Sequence, residues 1–223
     1  MLYFTGDTHG DPVRFIENNM GDAKWGKDDF LIVCGDFGFI FFNNENEQRF
    51  LDYLSQKPYT ICFCDGNHEN FKALNSYPKE KWKGGYIHRI RDNVVHLMRG
   101  QVFELDGKKV FAFGGGYSRD RYMRILGLSY WEEELPDNDE YRESTKNLAE
   151  HNNCVDIIVS HQAPREIIRR MGKYPDPHDM ELTGYLEWIM YNVKHTHWYF
   201  GHWHTDKTYD GKYTAMYFDV HCC

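Results

Sequence analysis

The sequence predicts an α/β fold built around a largely parallel sheet. Apolar runs at 2–5, 30–34, 59–64 and 155–160, and a fifth that closes on Phe200, each end in a polar turn, four of them glycine-bearing. Continuous apolar runs bounded by turn residues suit strands buried on both faces, as in parallel sheets. Stretches with helical spacing lie between them, and strand and helix in alternation is the pattern of parallel α/β architecture. At 223 residues one domain is expected over 1–223, with a loop and helix insertion around 114–153.

Composition narrows the function. The 26 basic residues face 34 acidic ones for a net charge of −8, which disfavours extended, sequence-independent binding to nucleic-acid backbone. No apolar stretch is long enough to cross a bilayer, and Met1–Phe4 runs into polar residues without a signal-peptide layout. The six cysteines show no disulfide spacing. A soluble cytoplasmic protein in a reducing compartment is the expectation.

The elements follow in order. Leu2–Thr5 delivers Gly6-Asp7-Thr8-His9-Gly10, where extended backbone would point residues i and i+2 the same way and let Asp7 and His9 converge on one ion. Standing alone, that motif reads as a solvated turn. Asp11 and Pro12 open a helix carrying Val13, Ile16 and Met20. Phe30–Cys34 ends in Gly35-Asp36-Phe37-Gly38, followed by the aromatic cluster Phe39–Phe42, whose first use is packing. Asn46 caps a helix with Phe50, Leu51 and Leu54 on one face. Tyr59–Cys64 releases Asp65-Gly66-Asn67-His68-Glu69, in which Asn67 can turn an amide oxygen to a metal while His68 faces elsewhere.

From Lys79 to Gly100 the dispersed basic residues read as solvated surface. Strands follow at 94–98, 101–105 and 109–113, with a hairpin at Asp106-Gly107, as an antiparallel part of the sheet system. Gly114-Gly115-Gly116 matches no phosphate-binding fingerprint, so the loop is assigned flexibility and three arginines, Arg119, Arg121 and Arg124, available to an anionic substrate or to solvent. A helix is expected over 140–150. Val155–Ser160 ends in His161, Pro164 begins a helix through Ile168, and 182–193 forms a core-facing helix. The next strand ends in Gly201-His202-Trp203-His204, and 213–220 closes the fold.

Asp7, His9, Asp36, Asn67, His161, His202 and His204 all follow apolar strands at turns. Four imidazoles, two carboxylates and an amide are too many for one tetrahedral ion and suit two ions of mixed N/O preference. Such a pair can clamp the attacking and leaving oxygens of displacement at phosphorus. Two divalent ions outweigh the two carboxylates, so the centre stays cationic and attracts phosphate esters.

As an ordered set, Asp-x-His, Gly-Asp, Gly-Asn-His-Glu, a lone His and Gly-His-x-His resemble the motifs of the calcineurin-like metallophosphoesterases, in a compact prokaryotic or phage-type form. The resemblance implies a four-layer αββα sandwich of two mixed sheets flanked by helices, with two divalent ions (manganese foremost; iron, nickel or zinc otherwise) at the strand ends. Carried over by position, Asp7, His9 and His204 would hold one ion and Asn67, His161 and His202 the other. Asp36 would bridge them. His68 would face the substrate and protonate the departing oxygen after attack by metal-bound hydroxide. One departure stands out: where relatives resembling Ser/Thr phosphatases carry an Asp-Arg pair, this chain has Phe39 and Ile40. Monoester or diester hydrolysis is expected, with a nuclease or nucleotide phosphodiesterase, or a non-catalytic metal-binding module, as alternatives.

Overall fold

The computed structural model describes residues 1–16 and 18–223. Among them the strands are β1 (Leu2–Thr5), β2 (Phe30–Val33), β3 (Thr60–Phe63), β4 (Lys79–Trp82), β5 (Gly85–Arg91), β6 (Val94–Leu97), β7 (Gln101–Leu105), β8 (Lys108–Phe113), β9 (Ile157–Ser160), β10 (His197–Phe200), β11 (Lys207–Tyr209), β12 (Tyr213–Ala215) and β13 (His221–Cys222). The helices are α1 (Glu45–Leu54), α2 (Phe71–Leu74), α3 (Asn138–Glu150), α4 (Arg165–Arg170) and α5 (Met180–Asn192).

Two mixed sheets result. The first runs β13-β1-β2-β3-β6-β5-β4 and the second β11-β12-β10-β9-β8-β7. β1, β2, β3 and β6 are mutually parallel, as are β8, β9, β10 and β12; antiparallel strands occupy the edges.

Alternation along each central strand sorts its side chains into layers. Phe4, Ile32, Cys62, Val95, Val110, Ile157, Val159 and Tyr199 meet between the sheets. Leu31, Val33, Ile61 and Phe63 face the other way, onto Leu51 and Leu54 of α1 and Leu74 of α2. Phe111, Ile158 and Trp198 face Leu148 of α3, Ile167 of α4 and Leu186 of α5. Each central strand is thus apolar on both faces, and the layers stack helix, sheet, sheet, helix. At roughly 1.5–3 kcal/mol per fully buried large apolar side chain, this double burial is the main force holding the layers.

Several expectations fail in detail. The helix expected after Pro12 is two short 3₁₀ turns, Pro12–Phe15 and Asp22–Lys24; Glu17, which lay in that expected helix, is outside the described residues. Val13 is exposed and Arg14 is buried instead, donating to Thr5 Oγ1 and Tyr217 O, so the apolar period is broken by a polar anchor. Helix α1 is capped by Asn44, whose side chain accepts from Glu47 N, and Asn46 lies inside it. Between Lys79 and Gly100 the chain forms β4, β5 and β6 of the first sheet, and β6 pairs parallel to β3, whereas β7 and β8 belong to the second sheet. Arg99 is buried there. The closing strand is only β12, with β13 returning separately to pair with β1.

Candidate metal centre and cleft

The carboxyl ends of β1, β2 and β3 in one sheet and of β9 and β10 in the other open onto the same edge, and the sequence-derived residues meet there. Asp7 and His9 come from β1, Asp36 from β2, Asn67 and His68 from β3, His161 from β9, and His202 and His204 from β10. Cβ-less positions permit the approach. A side chain at Gly66 would overlap the Asp36 carboxylate, and one at Gly35 the ring of His161. Backbone bonds lock the loops together, with His9 N donating to Asp36 O over 2.8 Å and Gly201 N to His161 O over 3.1 Å.

Asp36 lies between two groups of ligand atoms. Its Oδ2 is 3.7 Å from His9 Nε2, and its Oδ1 is 3.5 Å from His161 Nε2. On the first side, His9 Nε2 and His204 Nε2 stand 3.0 Å apart, and Asp7 Oδ2 is 3.5 Å from His204 Nε2. On the second side, Asn67 Oδ1 is 3.0 Å from both His161 Nε2 and His202 Nδ1. Asp7, His9 and His204 bring one ligand atom each within 4.8 Å of one another, as do Asp7, Asp36 and His161, and also His9, Asp36 and His68.

This donor set suits cations. His161 Nδ1 can only donate to Cys34 O, 3.0 Å away, so in the neutral ring Nε2 is a bare lone pair. It faces the Asn67 oxygen and a carboxylate, two more acceptors. Asp7 Oδ2 is buried with no hydrogen-bond partner. Lone pairs outnumber the protons available, and a divalent ion on each side of Asp36 would satisfy them. Without metal, burial pushes the Asp7 carboxyl up to about 7, His161 opposing and Asp36 adding to the rise. Burial disfavours ionised Asp36, but His161, His68 and His9 hold it well below the usual carboxylate range. Burial, reinforced by neighbouring imidazoles, pushes His202 and His204 down, which keeps them neutral and able to bind metal.

Beside the centre lies a cleft of about 630 Å³, lined among others by His68, Arg119, Arg124, Lys173, Tyr174 and Trp203. Arg124 Nη2 is 3.0 Å from His68 Nε2, and Arg124 Nε pairs with Asp120 Oδ1 at 2.7 Å. Arg119 lies over the Trp203 ring, 3.5 Å from Asp176. Arg121 turns away: its guanidinium pairs with buried Glu134 at 2.7 Å, so it does not line the cleft. Phe39 and Ile40 are buried in the aromatic cluster behind β2. Lys173, Tyr174 and Asp120 were missed in the sequence, where only proximity to Gly172 and to the arginines marked them.

A family model for calcineurin-like phosphoesterases matches residues 2–206. The chain belongs to that family. Phosphoester hydrolysis is therefore its general chemistry, and divalent metals are the usual cofactors of such phosphoesterases. Among solved structures, this phosphoesterase is similar to the phosphopantetheinyl hydrolase PptH from Mycobacterium tuberculosis, at 15% identity and a TM-score of 0.46, covering 97% of this chain and 89% of that one. Comparison with curated proteins gives no match. No helix among the phosphoesterase's described residues is long and apolar enough to cross a membrane.

Proposed function

We propose that the chain hydrolyses phosphate esters with two divalent ions, Asp7, His9 and His204 holding one, Asn67, His161 and His202 the other, and Asp36 shared between them. The observation that carries this reading is the Asp36 carboxylate, whose two oxygens face two different clusters of lone pairs. Manganese is the first candidate, with iron, nickel or zinc suited to the same N/O donors. Bound there, the ions would activate water and offset charge on phosphorus.

The protein's own groups do the rest. Arg124 and His68 stand together at the cleft, the guanidinium donating to His68 Nε2; a phosphoryl group that drew Arg124 onto its own oxygens would free that nitrogen to take up a proton and pass it to the departing oxygen. Asp120 holds Arg124 in place from the same loop, an acid and arginine reaching His68 from a different segment than the one occupied here by Phe39 and Ile40. Arg119 and Lys173 add positive charge along the cleft wall. The substrate is a compact phosphomonoester or diester rather than a long nucleic acid, in keeping with the acidic net charge.

Metal analysis of purified protein should find up to two ions per chain. The bridging assignment is tested by Asp36→Asn, which removes the one charge facing both clusters. It should weaken both sites together, whereas His204→Ala should mainly weaken one; two ions bound with unchanged affinity by the Asn variant would sink the assignment.

A further inference from the structure

An asparagine can serve as a metal ligand in only one of its two amide orientations, since its nitrogen has no lone pair to give. At Asn67 a hydrogen-bond chain selects the useful one. Asn67 Nδ2 donates to Ser118 Oγ over 3.1 Å. The Ser118 hydroxyl has a single proton and gives it to Glu134 Oε2 over 2.9 Å. Glu134 Oε1 accepts from Ser118 N over 2.8 Å and from Arg121 Nε over 2.7 Å. Burial raises the pKa of the group, but these donors and the paired guanidinium oppose the rise, and three donors directed at its two oxygens suit a carboxylate that only accepts. Ser118 Oγ is therefore left as an acceptor toward Asn67. The amide must present its NH₂ to Ser118 and its oxygen to His161 and His202.

Ser118 is 1% exposed and Glu134 fully buried, so water cannot stand in for either. We propose that Ser118 and Glu134 are positioning residues that fix the Asn67 amide and thereby set the affinity of the ion site it forms with His161 and His202. The inference rests on Asn67 being a ligand, as proposed above. It also assigns the 114–136 loop a role beyond carrying arginines to the cleft: its buried carboxylate reaches the metal centre through two hydrogen bonds.

Glu134→Gln is the sharpest test, because shape is kept and polarity reversed. The introduced amide would keep its oxygen toward Ser118 N and Arg121 and turn its NH₂ to Ser118 Oγ, so the hydroxyl proton would point at Asn67 and favour the flipped amide there. Calorimetric titration of chelator-treated protein with Mn²⁺ alone should show one site unchanged and the other weakened about 10–100-fold, in Glu134→Gln and in Ser118→Ala alike. Thermal unfolding of the same metal-free samples checks that both variants fold. If the variants fold and bind two ions as the wild type does, while Asn67→Ala loses one, the relay is overturned. If Asn67→Ala itself keeps both ions, the ligand assignment is overturned and the relay with it.

Discussion

Asp7, His9, Asp36, His202 and His204 all adopt left-handed backbone, with φ of 27°, 47°, 49°, 66° and 46°. For non-glycine residues this costs roughly 1–3 kcal/mol each and persists only where surrounding bonds impose it. Here they do: His202 N donates to Asp7 Oδ1 and His68 N to Asp36 Oδ1, so the carboxylates bind backbone as well as facing the centre. The alternation rule that pairs Asp7 with His9 assumes extended backbone, yet the two side chains approach one another from left-handed turns. These residues leave extended geometry altogether, and tight turns bring i and i+2 together. Asn67, His68 and His161 keep ordinary negative φ and owe their placement to side-chain partners. In the proposed function His68 serves chemistry rather than metal binding: its Nε2 faces a guanidinium where His161 Nε2 faces acceptors. His68→Gln should leave metal content unchanged and lower turnover by about 10²–10⁴. Alkyl phosphates should suffer more than nitrophenyl phosphates, whose leaving group departs without a proton; equal losses would assign His68 to phosphoryl charge instead.

Among the elements, the parallel strands were the legible ones, because burial on both faces writes an uninterrupted apolar run that few other structures produce. Residues whose partners are distant in sequence were illegible. Arg99 read as surface charge, yet it is buried and donates to Asp65 Oδ2, Glu140 Oε2 and the Glu133 carbonyl, tying β3 to α3. Nothing local in 79–100 distinguishes that arginine from its exposed neighbours. Arg99→Met should destabilise the fold by roughly 3–5 kcal/mol, since Asp65 would be left buried without its main counter-charge. Denaturant unfolding measures this, and a loss under about 1 kcal/mol would mean the cluster is solvated. The turn joining α5 to β10 holds a second buried polar group. His195 donates from Nδ1 to Val193 O, its Nε2 has no partner, and Trp198 and Tyr213 pack on the ring. Burial pushes its pKa down to about 4. The unfolded chain, titrating near 6.5, then binds the extra proton between those values, so this residue costs stability as pH falls through that window. Relative to wild type, His195→Phe should gain in unfolding midpoint from about pH 6.5 to about pH 4; a constant difference across that range would show that His195 is protonated in the fold.

At the scale of the molecule, the two sheets are nearly consecutive in the chain. Residues 2–97 build the first except for β13, and 101–215 build the second. The candidate centre draws Asp7, His9, Asp36 and Asn67 from one and His161, His202 and His204 from the other. Ions held by the proposed set would fasten sheet to sheet, since neither sheet alone offers all seven residues. Chelation should therefore lower the unfolding midpoint of the whole protein in one cooperative transition. At free metal near 100 times Kd the effect is worth about 2.7 kcal/mol per site, and thermal scans with and without chelator measure it. A midpoint indifferent to chelation would mean that the folded chain binds no metal more tightly than the unfolded chain does. The order of the chain adds a consequence in time. As the polypeptide leaves the ribosome, the two carboxylates, His9 and the Asn67 amide emerge first, ahead of the second sheet. The other three histidines of the proposed set, His161, His202 and His204, follow much later, with Gly201-His202-Trp203-His204 more than a hundred residues behind Asn67. A nascent chain halted before that motif would hold Asp7, His9, Asp36, Asn67 and at most His161, so on the proposed ligand assignment neither ion site is complete until Gly201-His202-Trp203-His204 has emerged.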